Sequence, residues 1–561
     1  MKYATHEAHC ASDLRNGQVR DSSWIRALSI LAAVSCGIAV AAPRASIPSP
    51  HLRTTNGTTQ LVVSGEPFLI LGGELLNNSG TSLDYLKPVW QQLRQANLNT
   101  ALVAVSWAQL EPTEGKFDFT IVDGVIEQAR ENRMKLVLLW FGSWKNTWSS
   151  YAPVWVKKDF HRFPRVRLAS GAGTERLTPL SEANQRADAL AFAALMRRIR
   201  QVDAANQTVI MIQVENEVGV IPDARDHSAE ADSAYRGQVP KVLVDYLVQH
   251  RGTLAPELRF KWQKSGFRSS GSWEEIFGPG RETEDLFMAW HYARYIGAVT
   301  AAGKAEYPLP MFVNAALIRT SYLPGQFNSG GPLPHSLDIW RAGGPQIDFL
   351  APDIYFEFKS WADKYTRNGN PLFVPETRGG TLGAADVFYA VGHLRAIGFS
   401  PFGIDRTPDP DVELGKSYDV LRQLSPLILR HQVDDGVDGV VLGELTPAQK
   451  IQLGGYILNV TRISPRTGTA AATEGPDPNG IFIATAKDEF YMAGSGLNIT
   501  FTPDSPGEPI VGLATVEEGK FVDGVWLRGR TLAGDDTGQG NSVSLRGSDK
   551  GVLRVVLYRY R

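Results

Sequence analysis

The chain has 561 residues, 43% hydrophobic and 21% charged, so it can bury a large core as a globular protein. That length exceeds one small domain and suits a large barrel with an accessory domain. A formal charge of −2 lacks the basic excess of a nucleic-acid binder.

The first segment reads as a targeting signal. Arg20 and Arg26 precede an apolar run over residues 27–42, and Ala39-Val40-Ala41 supplies small residues before a cleavage point, which predicts a signal peptide at 1–42. The run is too short for a comfortable membrane-spanning helix, so no stable membrane insertion is expected. Glu7, Asp13 and Asp21 lie ahead of it and suggest that translation begins nearer the arginines. The expected location is periplasmic or secreted; Cys36 offers lipoprotein anchoring as an alternative, but Ala33 stands where a lipobox prefers Leu. Cys10 and Cys36 are the two cysteines, so cleavage would leave a mature chain without disulfides, a thiol nucleophile or a cysteine-held metal.

After a lead-in over 43–60, apolar runs alternate with helical patterns from 61 to 431. Candidate strands cover 68–73, 100–105, 136–140, 209–214, 311–314, 349–354, 372–374 and 400–403. They are nearly continuous apolar stretches, as expected for strands covered on both faces. Helices are predicted at 83–95, 120–132, 184–201, 284–303, 384–397 and 418–430. Strands and helices interleaved in this way predict a (β/α)8 TIM barrel. A doubly wound open sheet loses ground because no Gly-rich phosphate fingerprint follows the first strand. A polar insertion over 222–281, with Trp262 and Trp273, is expected over the C-terminal mouth of the barrel. Its bland reading is a helical hairpin from residue 240 to 249 without substrate contact.

From 432 to 561 the pattern changes to short strands at 480–485, 489–493, 497–502, 511–517, 520–530 and 552–560, separated by Gly, Asp, Asn and Pro. This predicts an all-β, sandwich-like C-terminal domain.

Two carboxylates stand out. Glu217 lies in Ile212-Gln213-Val214-Glu215-Asn216-Glu217-Val218-Gly219, just after the fourth strand, and Glu376 in Pro371-Leu372-Phe373-Val374-Pro375-Glu376-Thr377, just after the seventh. Strand ends at the C-terminal face are where a TIM barrel places chemistry. Two carboxyl groups about 5–5.5 Å apart perform double-displacement glycoside cleavage, one as proton donor and one as nucleophile. An Asn-Glu pair or a strand-end Glu is commonplace singly; the pairing at matched strand ends is the signal. Trp107, Trp140, Trp144, Trp273 and Trp361 are candidates for a sugar-stacking platform, against a reading as ordinary packing.

The Gln-Val-Glu-Asn-Glu-x-Gly string resembles that of glycoside hydrolase family 35, the β-galactosidases of the large retaining TIM-barrel clan. Gly72-Gly73-Glu74-Leu75, Asn99-Thr100, Trp107, Glu111-Pro112, Gly115 and Phe117-Asp118-Phe119 are similar to further segments of that family. The resemblance runs patchily from about residue 60 to 410 and implies Glu217 as acid/base and Glu376 as nucleophile. It also implies that Asn216 hydrogen-bonds the sugar 2-hydroxyl and Tyr355 the nucleophile, with Glu215 and Glu74 at substrate hydroxyls. After the third strand the chain reads Trp140-Phe141-Gly142-Ser143-Trp144-Lys145-Asn146 where the family usually has Arg-Pro-Gly-Pro-Tyr, which alters the wall of the sugar pocket. The chain is more similar to a bacterial subgroup with an extra C-terminal β domain, whose members resemble enzymes trimming terminal galactose from plant cell-wall oligosaccharides such as xyloglucan.

The implied activity is retaining exo-β-galactosidase on an oligosaccharide substrate, with no cofactor and no metal. For this, Glu217 must carry a proton at working pH and Glu376 must be ionised, helped by Tyr355 and Arg378. Other exo-glycosidases of the clan (β-glucosidase, exo-β-glucosaminidase, arabinosidase) stay open, as does a non-catalytic carbohydrate-binding barrel. Neither His-Glu-x-x-His nor Gly-x-Ser-x-Gly occurs, which disfavours metal and serine hydrolysis.

Overall fold

The computed structural model describes residues 48–463, 477–547 and 550–561. The signal segment predicted at 1–42, with Cys10 and Cys36, lies outside the described residues. Among the described residues no helix is long and apolar enough to cross a membrane.

Eight parallel strands among these residues close into a barrel. They are β1 (Ile70–Glu74), β2 (Thr100–Ser106), β3 (Lys135–Lys145), β4 (Val209–Asn216), β5 (Met311–Ala316), β6 (Phe349–Ile354), β7 (Phe373–Thr377) and β8 (Gly398–Pro401). Neighbours in the chain are neighbours in the barrel, and β8 closes on β1. Each of the eight predicted strands overlaps one of these. β4 is buried along its whole length, which explains its unbroken apolar sequence.

Helices return the chain outside the barrel. Ser82 caps Leu83–Gln95 by accepting from the Tyr85 N–H, and Leu86, Val89, Trp90 and Leu93 form its buried stripe. Ser181 caps Glu182–Asp203 and Asp411 caps Val412–His431 in the same way. The helix predicted over 384–397 ends earlier. It runs Gly380–Phe388 and continues as a wide turn, Tyr389–His393, against which the C-terminal domain docks.

The lead-in is more structured than its sequence suggests. His51–Thr55, Thr58–Val63 and Glu66–Phe68 form an antiparallel meander. Its Leu61 and Val63 join Ile70, Leu102, Val137, Leu139, Phe312, Phe349 and Phe373 in one apolar cluster inside the barrel. Phe312 stacks on Phe349 and meets Phe373 edge-on, with both centroid pairs 5.2 Å apart. This filled interior leaves the C-terminal strand ends as the place for chemistry.

The insertion after β4 forms four short helices, Ala229–Arg236, Lys241–Gln249, Pro256–Lys264 and Trp273–Phe277. Trp262, Trp273 and Phe277 are buried in the core shared with helix Arg281–Glu306, where Trp273 meets Phe287 edge-on at 5.4 Å.

The C-terminal residues form a sandwich. A six-stranded sheet (Val437–Val441, Asn479–Ala486, Glu489–Ser495, Val552–Tyr560, Ile510–Val522, Val525–Leu532) faces a four-stranded one (Ala448–Leu453, Tyr456–Arg462, Leu497–Pro503, Val543–Leu545). Val440, Phe482, Phe490, Leu497, Ile499 and Val555 are among the residues packed between them. The strand expected over 520–530 is instead the corner of a hairpin. Asp523 and Gly524 both have positive φ and turn the chain, the Asp-Gly signature of a tight hairpin. The outer face of the larger sheet joins the barrel core through Val437, Ile481, Ile483, Tyr491 and Val552. Gly439 lies against Phe388, so close that a Cβ there would stand 2.0 Å from the Phe388 carbonyl oxygen.

Candidate active site

Glu217 follows β4 and Glu376 lies near the end of β7, as the sequence spacing predicts. Carboxylate oxygens of Glu217, Glu376 and a third residue, Asp353, lie within 4.8 Å of one another. The two acids singled out from sequence therefore face each other at the barrel mouth. Those three oxygens are also close enough to share a hard cation. Asp353 belongs to β6 and stands in register beside Glu376 on the neighbouring strand.

Local backbone strain aims these groups. Glu215 and Glu217 both have left-handed backbone, with φ of 63° and 45°, on either side of Asn216. The reversal separates the two acids: Glu217 turns to the mouth and Glu215 away from it. The Glu217 N–H donates to Asn314 Oδ1 at 3.0 Å, and Asn314 Nδ2 donates to Asp353 Oδ2 at 2.7 Å. Asn328 Nδ2 donates to the Glu217 carbonyl at 2.9 Å. Asn314, in the C-terminal half of β5, thus joins the acid/base candidate to Asp353.

The Tyr355 hydroxyl donates to Glu376 Oε1. Both side-chain polar atoms of Asn216, both oxygens of Glu74, Asp353 Oδ1 and Glu376 Oε2 are buried without a hydrogen-bond partner among the described residues. Orphaned buried polar groups are rare in folded proteins, and a cluster of them marks a place that receives polar ligand atoms.

Burial, then the charge of Glu217, pushes the Glu376 carboxyl up to about 7, while Lys145 and the Tyr355 hydrogen bond hold it down. Burial likewise raises Glu74 and Asp353 well above the usual carboxylate range, reinforced by the neighbouring acids. Glu376 is therefore less readily ionised than its tyrosine partner alone implies. Arg378, expected to help it, instead lies beside Asp386. The helpful cation is Lys145, at the end of β3. Burial opposes its charge, but Glu376, Glu217, Glu74 and Asp353 outweigh that and raise it.

Several other residues are elsewhere. Glu215 is buried on the helix side of the barrel, accepting the Ser143 N–H at 3.0 Å and the Trp144 N–H at 2.6 Å. It braces the end of β3 and does not reach the mouth. Trp107 is buried and donates through Nε1 to Glu111 at 2.8 Å. Trp144 donates to the Leu177 carbonyl and packs on Tyr292 and Tyr295, and Trp273 is in the core of the insertion. Trp140 donates to Asp188, and Trp361 meets Phe356 edge-on. Trp107, Trp144 and Trp273 thus form packing, which corrects their reading as a sugar platform: rings this fully enclosed have no face to offer a ligand.

Asp353, Asn314 and Lys145 are functional candidates that the sequence reading did not assign. The first two sit in the C-terminal halves of their strands, in Pro352-Asp353-Ile354-Tyr355 and Phe312-Val313-Asn314, where position alone could have flagged them. Lys145 lies within the run that departs from the family pattern.

A family model described as Beta-galactosidase matches residues 83–302, and one described as Domain of unknown function (DUF5597) matches residues 414–544. A beta-galactosidase from Xanthomonas manihotis is 27% identical over 210 residues, covering 36% of this chain and 32% of that protein. The match thus spans about a third of that relative's length. Among solved structures, a beta-galactosidase from Bacillus circulans sp. alkalophilus has 17% identity and a TM-score of 0.44, covering 64% of this chain and 57% of that one. The catalytic domain of a beta-amylase from Paenibacillus polymyxa has 12% identity and a TM-score of 0.44, covering 62% of this chain and 96% of that one. The matched barrel segment is similar to β-galactosidases of the glycoside hydrolase type, at a coarser level than the family 35 membership its motif implies.

Proposed function

We propose that the chain is a retaining exo-β-galactosidase of family 35 type, removing terminal β-galactose from plant cell-wall-type oligosaccharides such as xyloglucan fragments. The observation that carries this reading is the approach of Glu217 and Glu376 oxygens to within 4.8 Å. Retaining glycosidases hold their carboxyl groups about 5–5.5 Å apart, whereas inverting ones leave about 6.5–9.5 Å for a water.

Glu376 attacks the anomeric carbon while Glu217 gives its proton to the departing glycosidic oxygen. The carbon–oxygen bond to the aglycone breaks, and a glycosyl ester forms on Glu376. That ester has no charge, so Glu217 can then take a proton from water, which attacks the same carbon and releases the sugar with retained configuration. Tyr355 orients Glu376 through its hydroxyl, and Asn216 offers two free polar atoms to the sugar. The choice of galactose rests on the motif and on similarity to proteins described as beta-galactosidases. Export to the periplasm or the exterior is proposed from residues 1–42 alone.

A panel of nitrophenyl β-galactoside, β-glucoside, β-glucosaminide and α-arabinoside tests the sugar. Galactoside turnover should exceed the others. With Glu376→Ala, turnover should fall by several orders of magnitude, and added azide should yield the α-galactosyl azide. Recovery of a β-azide would mean that the nucleophile is another residue.

A further inference from the structure

Lys145 ends the longest strand of the barrel, and the register of β3 against β4 slips between Trp140 and Lys145, so that Lys145 pairs with Asn216. The run that bends there is held from behind. Glu215 accepts two of its N–H groups, and a Cβ on Gly142 would come within 2.5 Å of Glu215 Oε1 and 2.9 Å of Asp188 Oδ1. In front, the lysine is 7% exposed, with Nζ 5.2 Å from the Phe141 ring centroid. Glu74 from β1, Glu217 after β4, Asp353 from β6 and Glu376 from β7 all act on its charge. Yet Nζ makes no hydrogen bond or ion pair among the described residues.

A lysine buried to this degree with no hydrogen bond or ion pair, within electrostatic reach of a Glu74 whose two oxygens are open acceptors, is an unfinished hydrogen-bond set. A hydroxyl completes it, because it accepts from the lysine and donates to the carboxylate. A sugar carboxylate does not: it has no proton to donate, and it adds a negative charge beside four acidic groups. We propose that Lys145 and Glu74 clasp the hydroxyls of the glycone, making Lys145 a specificity residue that selects neutral pyranosides over uronic acids. This deepens the glycosidase reading and rests on it.

The test compares nitrophenyl β-galactoside with its 3-, 4- and 6-deoxy analogues and with the galacturonide. For the hydroxyl that Lys145 holds, removal should cost the parent enzyme about 10- to 100-fold in kcat/KM. Lys145→Met should lose a similar factor on the intact sugar, and the two losses should not multiply. Glu74→Gln, which relieves repulsion among the acids and so favours folding, should show the same non-multiplying pattern. The galacturonide should react at least 100-fold more slowly than the galactoside. Losses that multiply at every position for both variants, or a galacturonide hydrolysed within tenfold of the galactoside, would overturn the proposal. Titration calorimetry with free galactose and galacturonate makes the same comparison without turnover. A chain that hydrolyses no glycoside would overturn the glycosidase reading. Galactose binding weakened at least tenfold by Lys145→Met would still support the clasp, and unchanged binding would end it.

Discussion

Glu215 and Glu217, two residues apart, point to opposite sides of one strand end: Glu217 joins Asp353 and Glu376 at the mouth, and Glu215 turns back to brace Ser143 and Trp144 beside Asp188. Left-handed backbone at both residues makes this divergence possible. Burial, then Asp188, raises Glu215 well above the usual carboxylate range.

Glu215→Gln keeps the shape but replaces one of the two oxygens that accept backbone N–H groups. It should destabilise the fold by about 1–3 kcal/mol and lower kcat by loosening the run that carries Lys145. Chemical denaturation with parallel kinetics measures both. A variant as stable and active as the parent would remove the brace from the account.

Glu217→Ala should spare activated aryl glycosides far more than natural oligosaccharides, because good leaving groups need little protonation. Relative kcat/KM on a dinitrophenyl galactoside and on an oligosaccharide gives the answer. Equal losses on both would count against the acid/base role.

The pH profile should report the crowding of the acids. Nucleophilic attack needs ionised Glu376, so kcat/KM should rise with pH through about 7. Tyr355→Phe removes a hydrogen bond that favours the charged form, so this limb should move to higher pH and the activity loss should be greater at pH 6 than at pH 8. A uniform loss at all pH values would make the tyrosine's role purely steric.

The same carboxyl should limit stability. Its folded pKa is raised above the unfolded value, so the folded state binds the extra proton and stability falls as pH climbs from about 4.3 towards 7. Glu376→Gln abolishes that penalty. It should add on the order of 1–3 kcal/mol at pH 8 and little at pH 4, visible as a melting-temperature gain confined to the higher pH.

Gly439→Ala should prise the sandwich from the barrel, because the new methyl meets the Phe388 carbonyl and the Gly392 backbone, neither of which can rotate away. A cost of about 1–3 kcal/mol in thermal unfolding is expected. A change below about 0.5 kcal/mol, the range of ordinary surface substitutions, would make the contact incidental.

The sequence determined much by itself. Continuous apolar runs spaced by helical patterns marked all eight barrel strands, because parallel strands buried on both faces leave that periodic trace. Glu217 and Glu376 were legible because each follows such a run directly. The N-terminal meander does not stand out in the sequence, since strands of three to six residues carry little pattern. The tryptophans misled because composition cannot tell a ring at the mouth from one between strand and helix. What the tertiary structure decided is which side chains share one dielectric environment. Asp353, Asn314 and Lys145 come from three strands, and they meet Glu217 and Glu376 because barrel closure brings remote strand ends together. No local periodicity encodes that convergence, and the charge balance around the nucleophile exists only once it has formed.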